Sequence, residues 1–220
     1  LLDLDKTAIG ARGRNDKVID LVRLEAAFST AEHYLDKGFD QICFKRTYDY
    51  FNQSKFHTFT TDNQDYLVYL CLLVESGYIE SSVLSEQIFQ NQNTSFVEFV
   101  SRLQIEVNSF PMGIQEMNHL FYKEFQRGNP TPFKAFRAFE YQNTLGRMGC
   151  LNDDVPINQM LQEEIVMTHE VQQAVLHWKK EGAIILGMSD KPDEASKPDK
   201  QQAKAGLLPI HRVKTHVIGA

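Results

Sequence analysis

Two carboxylates near the start of the chain are the residues best suited to chemistry. Asp3 and Asp5 follow two apolar residues and are followed by Lys6 and Thr7. A strand that ends in such residues places them at the carboxyl edge of an α/β sheet, where open sheets bind ligands. Two convergent carboxylates can bind a hard cation such as Mg²⁺, or one can act as a nucleophile while the other transfers protons.

A second chemical signal is Ser189, close to the other end of the chain. It follows the apolar run 183–188, and an amphipathic helix predicted to begin after Thr168 and to end before Gly182 precedes that run. A helix, a strand, a polar turn and a further helix are typical of an α/β unit. The pattern predicts a buried parallel strand over 183–188 and places Ser189 at a helix N-terminus, which binds oxyanions well.

Together these residues resemble two motifs of the haloacid dehalogenase-like (HAD) superfamily of phosphohydrolases. Asp3, Asp5 and Thr7 match its first motif, DxDx[T/V], and Ser189 matches the serine or threonine of its second. The resemblance implies that Asp3 is the nucleophile that accepts the phosphoryl group. It implies that Asp5 acts first as general acid and then as general base. Ser189 and Thr7 would bind the phosphate, and Asp3 and Asp5 would hold Mg²⁺.

The resemblance also implies an architecture, an α/β fold in which a Rossmann-like HAD core carries a large inserted α-helical cap. Residues 1–15 and 166–220 would form the core, and residues 16–165 the cap. Both ends of the chain look like strands that have been cut, so this core is predicted to be truncated at both ends. Apolar residues spaced three and four apart predict the helices of the cap, at 16–36, 63–76, 94–108, 113–127 and 130–146. The state of segment 42–60 is left undecided.

The other two motifs of the superfamily are not matched. Four lysines are candidates for the lysine of the third motif, and none has a diagnostic context: Lys197, Lys200, Lys204 and Lys214. The acidic pair of the fourth motif is not present, and Ala220 stands where an acid would belong if 216–220 were its strand. A strand that precedes that motif is the preferred interpretation of 216–220. In either case, the predicted metal site is incomplete in this chain.

Two weaker features lie after the first motif and in the cap. Arg12 and Arg14, in the segment from Gly10 to Asp16, are candidate substrate-binding residues that could clamp an anion. A flexible hinge with solvated charges is the alternative, and it is the preferred one. Phe133, Phe136 and Phe139 are spaced like a stacking platform for nucleic acid, but this spacing is more typical of a helix core.

Composition excludes several classes of function. A formal charge of −6 argues against a nucleic-acid partner, and no apolar run approaches the length of a membrane span. Cys43, Cys71 and Cys150 are widely spaced and predict reduced thiols in a cytoplasmic protein. The sequence does not indicate an oligomeric state.

The sequence therefore predicts a Mg²⁺-dependent phosphomonoester hydrolase that acts on a small phosphorylated substrate through an aspartyl-phosphate on Asp3. A phosphotransferase of the same fold is one alternative, because only the phosphoryl acceptor would differ. A non-catalytic HAD-like or helical interaction protein is another, and the missing fourth motif is the observation that favours it.

Overall fold

The computed structural model describes residues 1–35, 39–90 and 95–219, and most of them lie in helices. The chain divides into two compact units. The first consists of Leu1–Ala26 and Arg137–Ala220, and the second is Ala27–Phe136. The predicted boundaries after residues 15 and 165 both fall within the first unit.

Helices make up most of the described secondary structure, and short strands lie among them. The helices are α1 (Asp16–Tyr34), α2 (Gln41–Phe51), α3 (His57–Thr60), α4 (Gln64–Glu75), α5 (Ser81–Gln90), α6 (Phe96–Leu103), α7 (Met112–Gln126), α8 (Lys134–Leu145), α9 (Ile157–Glu163), α10 (His169–Lys180), α11 (Asp193–Ser196) and α12 (Lys200–Lys204). The strands are β1 (Leu2–Asp3), β2 (Met167–Thr168), β3 (Gly187–Met188) and β4 (Val217–Ile218). Short 3₁₀ turns lie at Ser54–Phe56, Val107–Ser109 and Ile210–Arg212.

The four strands form two parallel pairs in the first unit. β1 pairs with β3, so that Asp3 lies opposite Met188. β2 pairs with β4, so that Met167 lies opposite Val217. Ile9 forms an antiparallel bridge to Met167 and thereby ties the loop after β1 to the second pair.

The predicted Rossmann-like core is wrong. Within the described residues, each sheet has two strands of two residues, whereas such a core needs a larger central sheet. β1 is short because a tight turn follows it, in which the carbonyl of Leu4 accepts hydrogen bonds from the N–H groups of Ala8 and Ile9. Only the last two residues of the run 183–188 form a strand, and Ile184 is 87% exposed instead of buried.

The core of the first unit forms where α1 packs against chain segments that are distant in sequence. Val18, Ile19 and Val22 of α1 are buried there. Tyr141, Met148, Ile165 and Ile210 complete this cluster. Helix α1 thus begins at Asp16 as predicted, and its apolar face anchors the loops that follow β1 and precede β4.

In the second unit, α4 lies at the centre of the packing. Residues 67–73 of this helix are all buried, and the Asn63 side chain caps it by accepting a hydrogen bond from the N–H of Asp65. The helix predicted over 63–76 is confirmed. Phe133 and Phe136 are buried as well, which agrees with their interpretation as core, although Phe133 precedes α8. Phe139 is half-buried.

Other helices were predicted in part. α7 confirms the segment 113–127, whereas α8 begins only at Lys134 of the segment 130–146 and α6 ends at Leu103 of the segment 94–108. Segment 42–60 forms α2, a 3₁₀ turn and α3. Helices α5 and α9 were not predicted. Three predictions concern residues outside the described part of the chain. They are the end of a helix at Asp36, the start of a helix at Thr94 and the position of Ala220 in the fourth motif.

Among the helices of the described residues, none combines the length and the apolar character that a membrane span requires.

Candidate functional site

Pairing of β1 with β3 brings the two sequence motifs to one place. The N–H of Leu4 donates to the carbonyl of Met188 over 2.9 Å, which holds together the residues that follow the two strands. Asp5 and Ser189 both line a cavity of about 260 Å³, and Lys191 lines it too. We refer to this space as the β1–β3 cavity. One residue of each motif, Asp5 and Ser189, thus lines the same cavity, although the surrounding sheet is different.

The carboxylate of Asp5 is mostly withdrawn from solvent, with 13% of its side chain exposed. Its Oδ2 lies 3.5 Å from Nη2 of Arg23. Its Oδ1 is buried and has no hydrogen-bond partner among the described residues. A buried carboxylate oxygen without a partner is costly, and a ligand or cation that contacts it would remove that cost.

Behind the cavity lies a buried group of charges that the sequence did not predict. Oε1 of Glu140 lies 2.6 Å from Nζ of Lys191 and 3.4 Å from Nε of Arg23. Its Oε2 lies 2.7 Å from Nη1 of Arg137. We call Arg23, Arg137, Glu140 and Lys191 the Glu140 cluster. Glu140 is fully buried, and only 6% of the Lys191 side chain is exposed.

The charges of this cluster control the protonation of Glu140. Burial alone would raise the pKa of this carboxyl, but Lys191, Arg137 and Arg23 together lower it to about 2. Burial would lower the pKa of Arg23, and the attraction of Glu140 and Asp5 outweighs it and raises that pKa. Glu140 is therefore ionised at neutral pH and holds three cations close to the cavity.

Helices α1 and α8 and the loop after β3 supply the cluster. Arg23 lies on α1, and Arg137 and Glu140 lie one turn apart on α8. Lys191 lies in the loop between β3 and α11, and its N–H donates to Oγ of Ser189 over 3.1 Å. This local turn fixes Lys191 relative to Ser189.

Asp3 and Thr7 are not among the described residues that line the cavity. Thr7 Oγ1 donates to Oδ2 of Asp3 over 2.6 Å, and both residues are exposed. The first motif is therefore divided in the structure. Asp5 faces the cavity with Ser189, whereas Asp3 and Thr7 contact one another at the surface.

The two arginines after the first motif are placed elsewhere. Nη1 of Arg14 lies 3.3 Å from Oε2 of Glu170, and its Nη2 donates to the carbonyl of Gly219. Arg12 is exposed to solvent. The described residues that line the β1–β3 cavity include neither arginine. Arg14 binds two parts of the first unit to each other, a contact that no sequence spacing indicated.

The lysines considered for the third motif lie on the surface. Lys197 pairs with Asp193 and Lys214 pairs with Asp153, in contacts that leave more than half of each lysine side chain exposed. Lys200 and Lys204 are exposed on α12. The lysine at the cavity is Lys191, which sequence reasoning missed, and its position two residues after Ser189 was the available signal.

Ser189 does not begin a helix, and that prediction is wrong. Helix α11 begins at Asp193, and Pro192 is its N-cap residue. Ser189 is exposed and accepts the hydrogen bond from the N–H of Lys191. The hydroxyl and the neighbouring Lys191 are therefore the groups that can bind an anion here, in place of the free N–H groups of a helix.

Among the described residues that line the cavity, Asp5 supplies the carboxylate that a metal ion could bind. Among the described residues, no group of three or more His, Cys, Asp or Glu side chains is arranged to hold one. Mg²⁺ commonly uses one or two carboxylates and takes its remaining ligands from water and phosphate. The buried and unpartnered Oδ1 of Asp5 fits such a ligand, and Asp3 is the nearest carboxylate in sequence.

Comparisons with family models, with curated proteins and with solved structures find no match for this chain. The resemblance to the HAD superfamily therefore rests on Asp3, Asp5, Thr7 and Ser189. The chemistry of the site follows from these residues and from the Glu140 cluster.

Proposed function

We propose that this chain hydrolyses phosphomonoesters at the β1–β3 cavity. The observation that carries the proposal is the placement of Asp5, Ser189 and Lys191 on one cavity by the pairing of β1 with β3. A carboxylate, a hydroxyl and an ammonium group supply proton transfer, hydrogen bonding and charge for a phosphate ester.

The placement of positive charge supports a phosphate as the ligand. Lys191 lines the cavity, and it surrounds Glu140 together with Arg23 and Arg137. The ammonium group of Lys191 is thereby held at the cavity, with only 6% of its side chain exposed. A phosphate dianion in such surroundings gains more from charge than it does in water, because the local dielectric constant is lower.

The proposed reaction uses the two aspartates in turn. Oδ1 of Asp3 attacks phosphorus, the bond to the leaving oxygen breaks, and Asp5, which enters this step as the neutral carboxylic acid, gives that oxygen its proton. Asp5 then takes a proton from water, which attacks the phosphoaspartate and releases inorganic phosphate with Asp3 regenerated. The contact of Thr7 with Oδ2 of Asp3 orients the carboxylate and leaves Oδ1 for the attack.

We propose Asp3 and Asp5 as the residues that hold Mg²⁺. The ion would neutralise charge between the phosphate and the two carboxylates, which otherwise repel one another. Ser189 and Lys191 contact the phosphate on the side of the Glu140 cluster, where positive charge is already supplied by the chain.

Variants of the two aspartates test the proposal. We expect Asp3→Asn to abolish hydrolysis of p-nitrophenyl phosphate and the labelling of the chain by a ³²P substrate. We expect Asp5→Asn to lower kcat by about 10²–10⁴-fold, because it removes acid and base assistance. Asp193→Asn, an exposed carboxylate on α11, is the control. Near-normal turnover by the Asp3 variant would contradict the assignment.

Removal of the metal is a second test of the same proposal. We expect a chelator to abolish turnover and added Mg²⁺ to restore it. Turnover that persists in the chelator would exclude the metal from the mechanism. Binding of inorganic phosphate without turnover would favour an anion-binding protein. Products phosphorylated on an added alcohol would favour a phosphotransferase.

A further inference from the structure

An apolar stretch of the chain lies on the surface of the first unit. The run 183–188 contains no charged residue and no proline. Leu186 and Met188 are each 56% exposed, and they share one side of the segment that pairs with β1, because alternate residues of a strand point the same way. Ile184 precedes them at the same spacing and is 87% exposed. We call these three side chains the β3 face. A contiguous exposed apolar group of this kind marks an interaction surface.

The opposite side of the same segment is packed. A Cβ at Gly187 would lie 3.0 Å from Cδ2 of Leu4, so the side chain of Leu4 covers that side. Ile185, two residues earlier, is half-buried. The segment therefore has one side against the side chains of its own unit and the other side, the β3 face, in water.

The backbone of β3 is unpaired along one edge. The N–H of Leu2 donates to the carbonyl of Leu186, and that of Leu4 donates to the carbonyl of Met188. In a parallel pair, the residue between two such positions, here Gly187, directs its own N–H and carbonyl away from the partner strand. Within the described part of the chain, β3 pairs with β1 alone, and Gly187 is exposed. An apolar edge without lysine or proline is a template for a further strand.

We propose that two copies of this chain associate by antiparallel pairing of the segment 184–188 about a two-fold axis. Leu186 lies at the axis, opposite the same residue of the second copy, and Ile184 lies opposite Met188 of that copy. Gly187 and Ile185 then lie opposite one another and exchange the hydrogen bonds of the groups that point away from β1. The two β1–β3 pairs become one four-stranded sheet, in which the two β3 faces contact each other across the axis.

The charges at the two ends of the run favour a second copy as the partner. The segment 179–181 before the run contains two lysines and one glutamate, a net charge of +1. Asp190 follows the run, and the charge of the next residue, Lys191, is paired with Glu140 in the interior. An antiparallel arrangement brings the positive end of one copy to the negative end of the other, which stabilises the pair.

The area available also suits a dimer. Leu176 and Trp178, near the end of α10, are each 51% exposed, and the N–H of Ala183 donates to the carbonyl of Trp178 over 2.9 Å. These two side chains therefore adjoin the β3 face. A large side chain that is half exposed presents on the order of 100 Å² to water, so the five together supply roughly 500 Å². This is the larger part of the ~800 Å² that each partner buries in a standard interface, and the paired backbone adds to it.

Charged variants at the axis test the association and its register. We expect the native chain to sediment as a dimer at about 100 μM. Leu186→Lys and Leu186→Glu each place like charges opposite one another, so we expect either variant alone to be monomeric and an equal mixture of the two to dimerise again. Val83→Lys, on the exposed face of α5, is the matched control and should stay dimeric. A monomeric native chain, or a mixture that stays monomeric, would overturn the proposal.

Cross-linking through cysteine gives a second measurement that does not depend on charge. The exposed Cys43 and Cys150 are first replaced by serine, so that their thiols do not react. Leu186→Cys then places two thiols opposite one another in a pair whose Cα atoms are about 4.5 Å apart, within the reach of a disulfide. We expect oxidation to join this variant into covalent dimers.

Ile184→Cys is the control for the register, because its partner in the second copy is Met188. We expect it to give at most about one tenth of the covalent dimer, since its two thiols lie too far apart to bridge. Equal cross-linking of the two variants, or none at Leu186→Cys, would overturn the proposal. Circular dichroism identifies a charged variant that fails to fold, in which case the cross-linking decides.

Discussion

Nζ of Lys191 lies 2.6 Å from Oε1 of Glu140, and both side chains are almost completely removed from solvent. The pair connects the loop after β3 to α8, two segments that are distant in sequence. Ser189 belongs to the same loop, since it accepts a hydrogen bond from the N–H of Lys191. The position of the predicted phosphate-binding serine therefore depends on a buried carboxylate that is itself outside the cavity lining.

Glu140→Gln tests how much this carboxylate stabilises the fold. The change keeps the shape of the side chain but leaves Arg23, Arg137 and Lys191 without their shared negative partner. We expect the free energy of unfolding to fall by about 3–5 kcal/mol in urea at pH 7, as is usual when one member of a buried ion pair is removed. Asp193→Asn breaks the exposed pair with Lys197 and should cost at most about 1 kcal/mol.

Acid should weaken the fold through the same residue. The pKa of Glu140 is about 2 in the folded chain, below its ordinary value of 4.5. A lowered folded pKa contributes stability that is present above pH 4.5 and is lost as the pH falls toward 2. We expect the difference in unfolding free energy between the native chain and Glu140→Gln to shrink from pH 6 to pH 3. A constant difference over that range would contradict the assigned ion pair.

Lys191→Met tests the binding of anions at the cavity. Glu140 would keep Arg23 and Arg137, so we expect the chain to remain folded. We expect the dissociation constant of inorganic phosphate to rise by about 10–100-fold, the usual effect of a lost charge-assisted hydrogen bond. Lys197→Met, an exposed lysine, is the control. Unchanged affinity in the Lys191 variant would remove this residue from the site.

The sequence predicted helices better than strands, for a physical reason. Helices such as α4 and α7 show apolar residues at helical spacing over three or more turns, and Asn63 caps the first of them. The run 183–188 is apolar throughout and gives no period that separates a strand from a loop. Whether such a run forms a strand depends on a neighbouring strand with which it can pair. Within this run, Gly187 and Met188 are the residues that pair with the short strand β1.

The site was predicted in part for a similar reason. The types and positions of Asp3, Asp5 and Ser189 indicate residues that are suited to phosphate chemistry. Two of them, Asp5 and Ser189, line one cavity in the structure. A buried lysine needs a carboxylate partner, and that of Lys191 is 51 positions earlier in the chain. Sequence spacing carries no signal of such a long-range ion pair, so exposed lysines further along the chain were considered instead.

The contribution of His216 to the stability of the fold changes with pH in the opposite direction to that of Glu140. Its Nδ1 lies 2.6 Å from Oε2 of Glu164 and its Nε2 lies 3.0 Å from Oδ1 of Asp153, which Lys214 also contacts. The hydrogen bond with Glu164, followed by that with Asp153, raises the pKa of His216 above 6.5. A raised folded pKa contributes stability that is present below pH 6.5 and is lost as the pH rises through the folded pKa.

His216→Gln should remove this dependence. We expect the variant to be less stable than the native chain at pH 6 and the difference to become smaller by pH 9, as measured by urea unfolding. His177→Gln, an exposed histidine near the end of α10, is the control. A difference that grows with pH would show that His216 is held as the neutral form.

Substitutions at Gly10 and Gly13 can distinguish the effect of close packing on stability from the effect of backbone conformation. Both have a positive φ, of 57° and 77°, which costs an L-residue roughly 1 kcal/mol. A Cβ at Gly10 would overlap Cδ1 of Ile19, whereas a Cβ at Gly13 meets nothing within 4 Å among the described atoms. We therefore expect Gly13→Ala to cost about 1 kcal/mol. Gly10→Ala should cost a further ~1–3 kcal/mol, because the buried side chain of Ile19 must shift. Equal losses in thermal or urea unfolding would show that Ile19 moves aside freely, and that the loop after β1 is not fixed against α1.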